Sequence, residues 1–372
     1  MSVAALTCHP VRLPLASPFV TAQRATSHVE AVLVRAVDDA GVAGWGEAVT
    51  TWRVTGESAA SVAAAVDGPL ADAVLGTEPD DVAAWAPRLD RAVVGNAAAR
   101  SAVASALVDV AARRAGTSLA EHLAGTGEGD PGRPAAAVRT DMTLSAVRTT
   151  AELDALLARA TAWAQVFRTL KVKVVAAEVT RDVLVELRRA VGPEVRLRVD
   201  ANQAWDAASA VEVLEHWQEN GARVELVEQP VAAADLPALA AVRATGLATV
   251  LADEAVRTVA DVDAVARHDA ADGVNVKLTK SGGPLQALLL ADRARGHGLD
   301  VIVGCMMEST VGLATSTAVA AVLDARGGAR VHDLDAGMWL ATRDESRVRY
   351  DGDLLVRSTA AGIGPVPAEG AA

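Results

Sequence analysis

The chain has 372 residues, of which 51% are hydrophobic and 22% charged, so it can form a large core and is not expected to be disordered. A formal net charge of −12, with no cluster of Lys and Arg interleaved with aromatic residues, argues against a nucleic-acid partner. Charged residues break the apolar runs before they reach the roughly 18 residues that a membrane span needs, so no membrane partner is expected.

Cysteine content and the N-terminal segment both predict a cytoplasmic protein. Cysteine occurs only at Cys8 and Cys305, which implies no disulfide framework and suits a reducing compartment. The first apolar patch is interrupted by His9, Pro10 and Arg12, so an export signal is not expected.

The first 125 residues predict strands followed by helices. The segments HVEAVLVRAVDD and GVAGWGEAV combine alternating apolar positions with a Gly-containing turn, which predicts an antiparallel hairpin or meander. From Ser58 to about Leu123, Ala, Val and Leu recur at three- and four-residue intervals, which predicts helices, and Gly116 ends the last long one. The Gly- and Pro-rich segment from Gly125 to Pro134 marks a domain boundary.

Downstream, short β-rich runs alternate with amphipathic helices; the runs are AVRTDMTL, TLKVKVV, VRLRVD, RVELVEQP, ATVLADE, GVNVKL, DVIVGCMM and RVHDLD. Their spacing of about 25 to 30 residues matches the βα unit of a closed parallel barrel, in which the active site forms where the strands end. We therefore predict three parts: residues 1–125, a barrel over 126–335, and a segment over 336–372 that packs back on the first part.

Three carboxylates close three successive runs: Asp200 ends VRLRVD, Glu228 ends RVELVE and Asp253 ends ATVLAD. Adjacent barrel strands would aim them at one point, where like charges raise one another's pKa and a divalent cation resolves the conflict. Oxygen ligands without His or Cys favour Mg²⁺ over zinc, and Mn²⁺ is also compatible. Asn202 would orient one of these ligands. The alternative is that each acid is a solvated loop charge or pairs with an Arg.

Lysines flank these acids. The run TLKVKVV places Lys171 and Lys173 on one face of a strand, and we predict that repulsion and a nearby metal lower the pKa of one of them, with Lys173 as the base. Lys277 ends a run across the barrel mouth, so a ligand between the two strands would have one lysine on each face. The alternative is that lysines are solvated surface charges, which is what we expect of Lys280.

The set KVK, VDANQAW, VEQP, ADE, KLTKSGG and GCMMEST, spread over nearly the whole chain, resembles the enolase superfamily and, within it, the branch named for muconate lactonising enzymes. The resemblance implies an α/β fold, with an α+β capping domain over a (β/α)7β TIM-like barrel. It also implies Mg²⁺ held by the three carboxylates, proton transfer by Lys173 and Lys277, and an auxiliary role for Lys171. Another branch of the superfamily uses a His at the end of the seventh strand, where this chain has GCMMES without histidine, which favours two-lysine chemistry.

Two acids and one arginine indicate the substrate. Asp333 and Asp335 in HDLDAG would share a face and could bind a cation, and in this respect the chain resembles dipeptide epimerases, in which a DxD holds the α-ammonium group. The alternative is a loop cap or a salt-bridge pair. The segment SPFVTAQRATS resembles the specificity loop of Ala-Glu epimerases, in which an arginine at the place of Arg24 pairs with the glutamate side chain. Trp52 and Arg53 could reshape that pocket.

The remaining predicted substrate contacts are Thr140, Asn202, Met306 and Glu308, of which Glu308 contacts either the substrate or a catalytic lysine. We expect Cys305 to line the pocket wall or the core and His332 to be structural.

Together with the resemblance, these residues predict an isomerase: a dipeptide epimerase that inverts the α-carbon of the C-terminal residue by 1,1-proton transfer through a Mg-stabilised enediolate, on Ala-Glu-like dipeptides. The alternatives in the same branch are an o-succinylbenzoate synthase or N-acylamino acid racemase, and a muconate-type cycloisomerase. A non-catalytic metal-binding scaffold is the alternative of another class. The expected partner is a small molecule, and a homo-oligomer is compatible with the sequence.

Overall fold

The computed structural model describes residues 1–22, 25–126, 132–149 and 152–366. Its strands are β1 (Val3–Val20), β2 (Ala25–Asp38), β3 (Ala43–Val49), β4 (Ala137–Thr140), β5 (Met142–Leu144), β6 (Thr169–Lys173), β7 (Arg196–Asp200), β8 (Val224–Glu228), β9 (Thr249–Ala252), β10 (Gly273–Lys277), β11 (Asp300–Gly304), β12 (Val331–His332), β13 (Val348–Asp351) and β14 (Leu354–Arg357).

The helices are α1 (Ala59–Ala65), α2 (Ala71–Val74), α3 (Val82–Ala92), α4 (Ala97–Ala115), α5 (Leu119–Ala124), α6 (Leu153–Ala164), α7 (Ala177–Val191), α8 (Ala207–Glu219), α9 (Leu236–Ala244), α10 (Val259–Arg267), α11 (Leu278–Ser281), α12 (Pro284–Gly296), α13 (Thr310–Gly327) and α14 (Ala336–Trp339). A π-helical turn, Val66–Leu70, joins α1 to α2 where Gly68 leaves helical geometry. No helix in the described part of the chain is both long and apolar enough to cross a membrane.

The N-terminal strands form an antiparallel sheet in the order β1-β2-β3, as the alternating pattern predicts. Helix α4 packs directly on this sheet. A Cβ at Gly44 would stand 2.4 Å from the carbonyl oxygen of Ala106, and one at Gly46 would stand 2.0 Å from that of Ala102. Glycine is therefore required where β3 meets the backbone of α4, and the next side chains along β3, including Glu47, face the other way.

The predicted barrel is confirmed. Strands β5 to β11 form one parallel sheet in sequence order, and β12 continues it through a bridge between Gly304 and Asp333 and through parallel pairing with β4. The strands are short and almost entirely buried, as expected for a parallel sheet with helices outside it. This arrangement brings the carboxyl ends of β6 to β10 to one mouth.

The first predicted run, AVRTDMTL, is two strands rather than one. After Thr140 the chain changes partner: β4 pairs with β12 and β14, whereas β5 pairs with β6. The break at Asp141 is held by hydrogen bonds, since the amide of Thr140 donates to Asp353 O and that of Asp141 donates to His332 O.

The C-terminal segment makes two sets of contacts. Its hairpin, β13 and β14, extends the sheet that contains β4. Further along, Ile363 N donates to Asp109 Oδ1 of α4 at 2.8 Å, and Leu119 N of α5 donates to Gly362 O at 2.8 Å. The division into residues 1–125, 126–335 and 336–372 remains our prediction.

Candidate active site

Three buried carboxylates meet at the barrel mouth. Asp200 and Glu228 end β7 and β8, and Asp253 directly follows β9. Each offers an oxygen within 4.8 Å of the others. Neighbouring parallel strands thus place the three acids side by side, as their one-unit spacing predicts.

Lysines contact every one of these acids. Lys171 Nζ lies 2.8 Å from Glu228 Oε2 and 3.1 Å from Asp200 Oδ2. Lys173 Nζ lies 2.5 Å from Asp200 Oδ2, and Lys277 Nζ lies 2.7 Å from Asp253 Oδ2. Strands β6 and β10 flank the three acid-bearing strands, so Lys173 and Lys277 approach the cluster from its two ends.

The charges of this cluster control its pKa values. Burial raises the pKa of Glu228 to about 8, and the charge of Asp200 adds to the effect. Burial also works to raise the pKa of Asp200, but Lys171 and Lys173 outweigh it and hold that pKa below its usual range. At Lys171 and Lys277 burial works to lower the pKa, yet the neighbouring carboxylates raise it. Lys171 is therefore not the lysine of β6 whose pKa we predicted to be lowered, and the role of Lys173 as the base stays a prediction.

Lys280 departs most clearly from its prediction. It is not a solvated surface charge: it is buried, its Nζ lies 2.6 Å from Asp253 Oδ1, and it also donates to the carbonyl oxygen of Asp253. Helix α11 begins directly after β10, and its third residue, Lys280, contacts Asp253. Burial lowers the pKa of Lys280.

The donor set fits a divalent cation. All three acids are buried oxygen donors, a set that suits Mg²⁺ or Mn²⁺. Other groups hold them in place: Asn275 Nδ2 donates to Glu228 Oε1 at 3.1 Å, and the amide of Asn202 donates to Asp200 Oδ1 at 2.9 Å. The contact of Asn202 with this candidate ligand is made by its backbone, whereas its side-chain Nδ2 donates to Glu254 Oε1 at 3.3 Å. Its role in orienting a metal ligand stays a prediction.

A cavity opens over this cluster. From the barrel side it is lined by Thr143, Lys173, Asn202, Asp253, Glu254, Lys277, Cys305, Met306, Met307, Asp333 and Asp335. From the N-terminal sheet and its loops it is lined by Phe19, Thr21, Arg53 and Val54. The Phe19 ring centroid lies 6.0 Å from Lys173 Nζ, so the first strand reaches over one of the lysines.

Asp333 and Asp335 both line the cavity, and protein groups fix one oxygen of each. Asp333 Oδ2 accepts from Lys171 Nζ at 2.7 Å. Asp335 Oδ2 accepts from Thr143 N at 2.7 Å and from Trp339 Nε1 at 3.0 Å. Burial raises the pKa of Asp335, and the charge of Asp333 adds to the effect. The two carboxylates therefore form an acidic wall of the cavity, held in place by these hydrogen bonds.

Of the other predicted substrate contacts, some line the cavity and others lie outside it. Met306 lines the cavity, whereas Glu308 lies behind it and accepts from Ser316 Oγ at 3.0 Å. Thr140 lies outside it, because its hydroxyl donates to Asp141 O and accepts from Leu334 N. Thr143, one strand further on, takes the cavity position. Arg24 lies outside the described residues.

Asn275 was not among the predicted site residues, although its position in the sequence indicates an inward-facing side chain. It stands two residues before Lys277 in β10, and period-two alternation places both side chains on the barrel interior. For Lys280 the sequence signal was the rarity of lysine, since the chain has only four, Lys171, Lys173, Lys277 and Lys280. In the structure all four contact this acid cluster.

Comparisons with known proteins agree with this geometry. Residues 3–125 match the family model "Mandelate racemase / muconate lactonizing enzyme, N-terminal domain", and residues 155–371 match "Enolase C-terminal domain-like". The chain is 33% identical over 357 residues to the L-Ala-D/L-Glu epimerase of Clostridium acetobutylicum, with 95% of each chain covered.

Two solved structures are similar to the whole fold. A substrate-liganded complex of the L-Ala-D/L-Glu epimerase from Bacillus subtilis has a TM-score of 0.91 at 31% identity, with 98% of each chain covered. A dipeptide epimerase from Enterococcus faecalis V583, complexed with Mg and the dipeptide L-Leu-L-Tyr, has a TM-score of 0.88 at 27% identity, with 98% of this chain and 99% of that chain covered. The chain therefore belongs to the mandelate racemase/muconate lactonizing enzyme family of the enolase superfamily, and it is an isomerase.

Proposed function

We propose that this isomerase is a dipeptide epimerase that inverts the α-carbon of the C-terminal residue. The observation that carries the proposal is the placement of Lys173 and Lys277 at the two ends of one carboxylate cluster, in a cavity that Asp333 and Asp335 also line. Two amines on opposite sides of a substrate carbon allow a proton to leave from one face and return to the other.

Each group in the cavity has a distinct role. Mg²⁺ held by Asp200, Glu228 and Asp253 would supply positive charge at the substrate carboxylate, which acidifies the adjacent C–H. One lysine Nζ, in its neutral form, takes the α-proton, and the protonated Nζ of the other delivers a proton to the opposite face. Because inversion runs in both directions, Lys173 and Lys277 each serve as base and as acid. Lys171 forms ion pairs with Glu228 and Asp333 and holds both carboxylates in position.

The acidic wall formed by Asp333 and Asp335 favours a dipeptide over an N-acyl amino acid or muconate. A dipeptide has a free α-ammonium group, which needs negatively charged partners, whereas an N-acyl amino acid and muconate have no such group. For the side chain of the C-terminal residue, Arg24 remains a predicted contact, and Arg53 is a cavity-lining arginine with no ion-pair partner among the residues that the structure describes. Ala-Glu-like substrates are therefore proposed. The cytoplasmic location predicted from the cysteine content is likewise part of this proposal.

The test is proton exchange in D₂O with L-Ala-L-Glu, N-succinyl amino acids and cis,cis-muconate as separate substrates. We expect deuterium at the glutamate α-carbon together with epimerisation. Lys173→Met and Lys277→Met should each lower epimerisation by about 10²- to 10⁴-fold, the usual contribution of a general acid or base. Each variant should still exchange the α-proton of the one epimer that faces its remaining lysine.

Arg267→Met, at an exposed position of α10, controls for the loss of a positive charge and should be fully active. Absence of exchange with every dipeptide would refute the epimerase assignment. Exchange with N-succinyl amino acids alone would favour the racemase alternative.

A further inference from the structure

Glu47 links the N-terminal sheet to a helix of the barrel. It lies on β3, on the face that points away from α4, and is 4% exposed. Its Oε1 accepts from Ser309 N at 2.9 Å, and its Oε2 accepts from Ser309 Oγ at 2.5 Å and from Gly312 N at 2.9 Å. Ser309 is the N-cap residue of α13. A carboxylate from one part of the chain therefore completes a helix N-terminus in another.

The segment just before that helix is a wall of the active-site cavity. Cys305, Met306 and Met307 all line it, and they span the gap between β11 and α13. The segment is anchored at its start, where Cys305 N donates to Asp333 O at 2.8 Å. At its end Glu47 holds Ser309, and Arg347 donates to Thr310 Oγ1 at 2.9 Å.

The local chemistry favours a directional role for Glu47 over simple packing. A buried carboxylate is costly unless it accepts several hydrogen bonds, and an apolar side chain could fill the same space without that cost. Gly312 leaves room for the carboxylate, since a Cβ there would stand 2.9 Å from Glu47 Oε2 and 3.1 Å from Glu308 Oε2. Hydrogen bonds to two backbone amides fix both the distance and the orientation of α13 relative to β3.

We propose that Glu47 is a positioning residue that couples the position of the cavity wall formed by residues 305–307 to the packing of the N-terminal sheet against the barrel. With Glu47 in place, the wall is ordered when the sheet covers the barrel mouth. Without it, the wall opens locally while the barrel stays folded. The inference rests on the proposed function only in treating this cavity as the substrate pocket.

Thiol labelling of Cys305 tests this without any substrate. In a Cys8→Ser background Cys305 is the only cysteine, so its rate of reaction with iodoacetamide reports opening of the wall. Glu47→Gln should raise that rate about tenfold, the change expected from losing one hydrogen bond to a charged group. Glu121→Gln is the matched control, because Glu121 also accepts from a serine amide and hydroxyl at a helix N-terminus, Ser118 of α5. It should leave the rate unchanged.

A labelling rate that is unchanged in folded Glu47→Gln would overturn the inference. Should that variant fail to fold in urea titrations, Ser309→Ala keeps the Glu47 charge and removes the hydroxyl contact together with the N-cap hydrogen bond from Val311 N, and it must still raise the rate. With an active enzyme, Glu47→Gln should raise KM for the dipeptide more than it lowers kcat. Labelling that behaves as expected in a protein with no epimerase activity would refute the proposed function and leave this inference standing.

Discussion

Lysine is confined to one place in this protein. The chain has 35 basic residues of Lys and Arg type, of which only Lys171, Lys173, Lys277 and Lys280 are lysines, and all four are buried at the acid cluster. Arginine stays charged at any physiological pH, whereas an amine can lose its proton and fits as a compact charge beside a carboxylate. All other residues of the Lys and Arg type are arginine.

Lys280 should be needed most when no cation is bound. Lys280→Met removes one partner of a buried ion pair, so it should cost about 3 kcal/mol in the free energy of unfolding in EDTA. Saturating Mg²⁺ should reduce that loss, because the ion would then compensate Asp253. Urea unfolding with and without Mg²⁺ measures the difference. Arg267→Met, an exposed change of the same chemical kind, should alter the free energy of unfolding by at most about 0.5 kcal/mol in either condition.

Arg53 should determine selectivity for acidic side chains. Loss of a charged hydrogen bond to the substrate side chain in Arg53→Met should lower kcat/KM for L-Ala-L-Glu roughly tenfold. The neutral isostere L-Ala-L-Gln should be affected much less. Steady-state kinetics with both dipeptides provides the measurement. An equal loss for the two substrates would mean that Arg53 only shapes the mouth of the cavity.

At the scale of elements, two neighbouring strands depend on a glycine. Strand β10 directs Asn275 and Lys277 inward, and β11 ends beside them at Gly304. A Cβ at Gly304 would stand 2.4 Å from Asn275 Oδ1 and 2.7 Å from Lys277 Cε. The strand end can therefore carry no side chain if Lys277 is to reach the cluster.

Gly304→Ala should displace Lys277 and lower the free energy of unfolding by about 1–3 kcal/mol, the usual cost of overpacking. Epimerase activity should fall more than stability does, since the displaced group is the proposed acid and base. Gly296→Ala is the control: it ends α12, has nothing within 4 Å of a Cβ, and should be neutral or slightly stabilising. Circular dichroism melts and steady-state kinetics on both variants measure the changes in stability and activity. A Gly304→Ala variant with unchanged stability and activity would contradict the prediction.

At the scale of the whole molecule, cation binding should couple to stability. Mg²⁺ at 100 times its Kd should add about 2.7 kcal/mol to the free energy of unfolding and raise Tm. Glu228→Gln should abolish the shift, whereas Glu225→Gln, on the same strand but outside the candidate ligand set, should retain it.

The Mg²⁺ effect should also depend on pH. Burial raises the pKa of Glu228 to about 8, and a cation binds only its ionised form. Protonation therefore competes with Mg²⁺ at low pH, and affinity should tighten as pH rises from 6 to about 8. Calorimetric titrations in buffers of different ionisation enthalpy would reveal the released proton. A pH-independent affinity would contradict this assignment to Glu228.

Much of the site follows from periodicity alone. Because barrel strands repeat every βα unit, the spacing of Asp200, Glu228 and Asp253 predicts that they converge, and alternation within TLKVKVV and GVNVKL predicts the inward lysines. The same regularity predicts the barrel, whereas the family was indicated by the resemblance of the motifs that stand at the strand ends.

Contacts between elements far apart in the chain could not be predicted in this way. Lys280 contacts Asp253 because the chain enters α11 directly after β10. Thr143 rather than Thr140 faces the cavity because the chain changes strand partners at Asp141. The link from Glu47 to Ser309 joins residues 262 positions apart. The sequence by itself determined the chemistry that repeats with the strands; the tertiary structure alone decided which non-local charges pair, because such pairing depends on how elements pack and has no period along the chain.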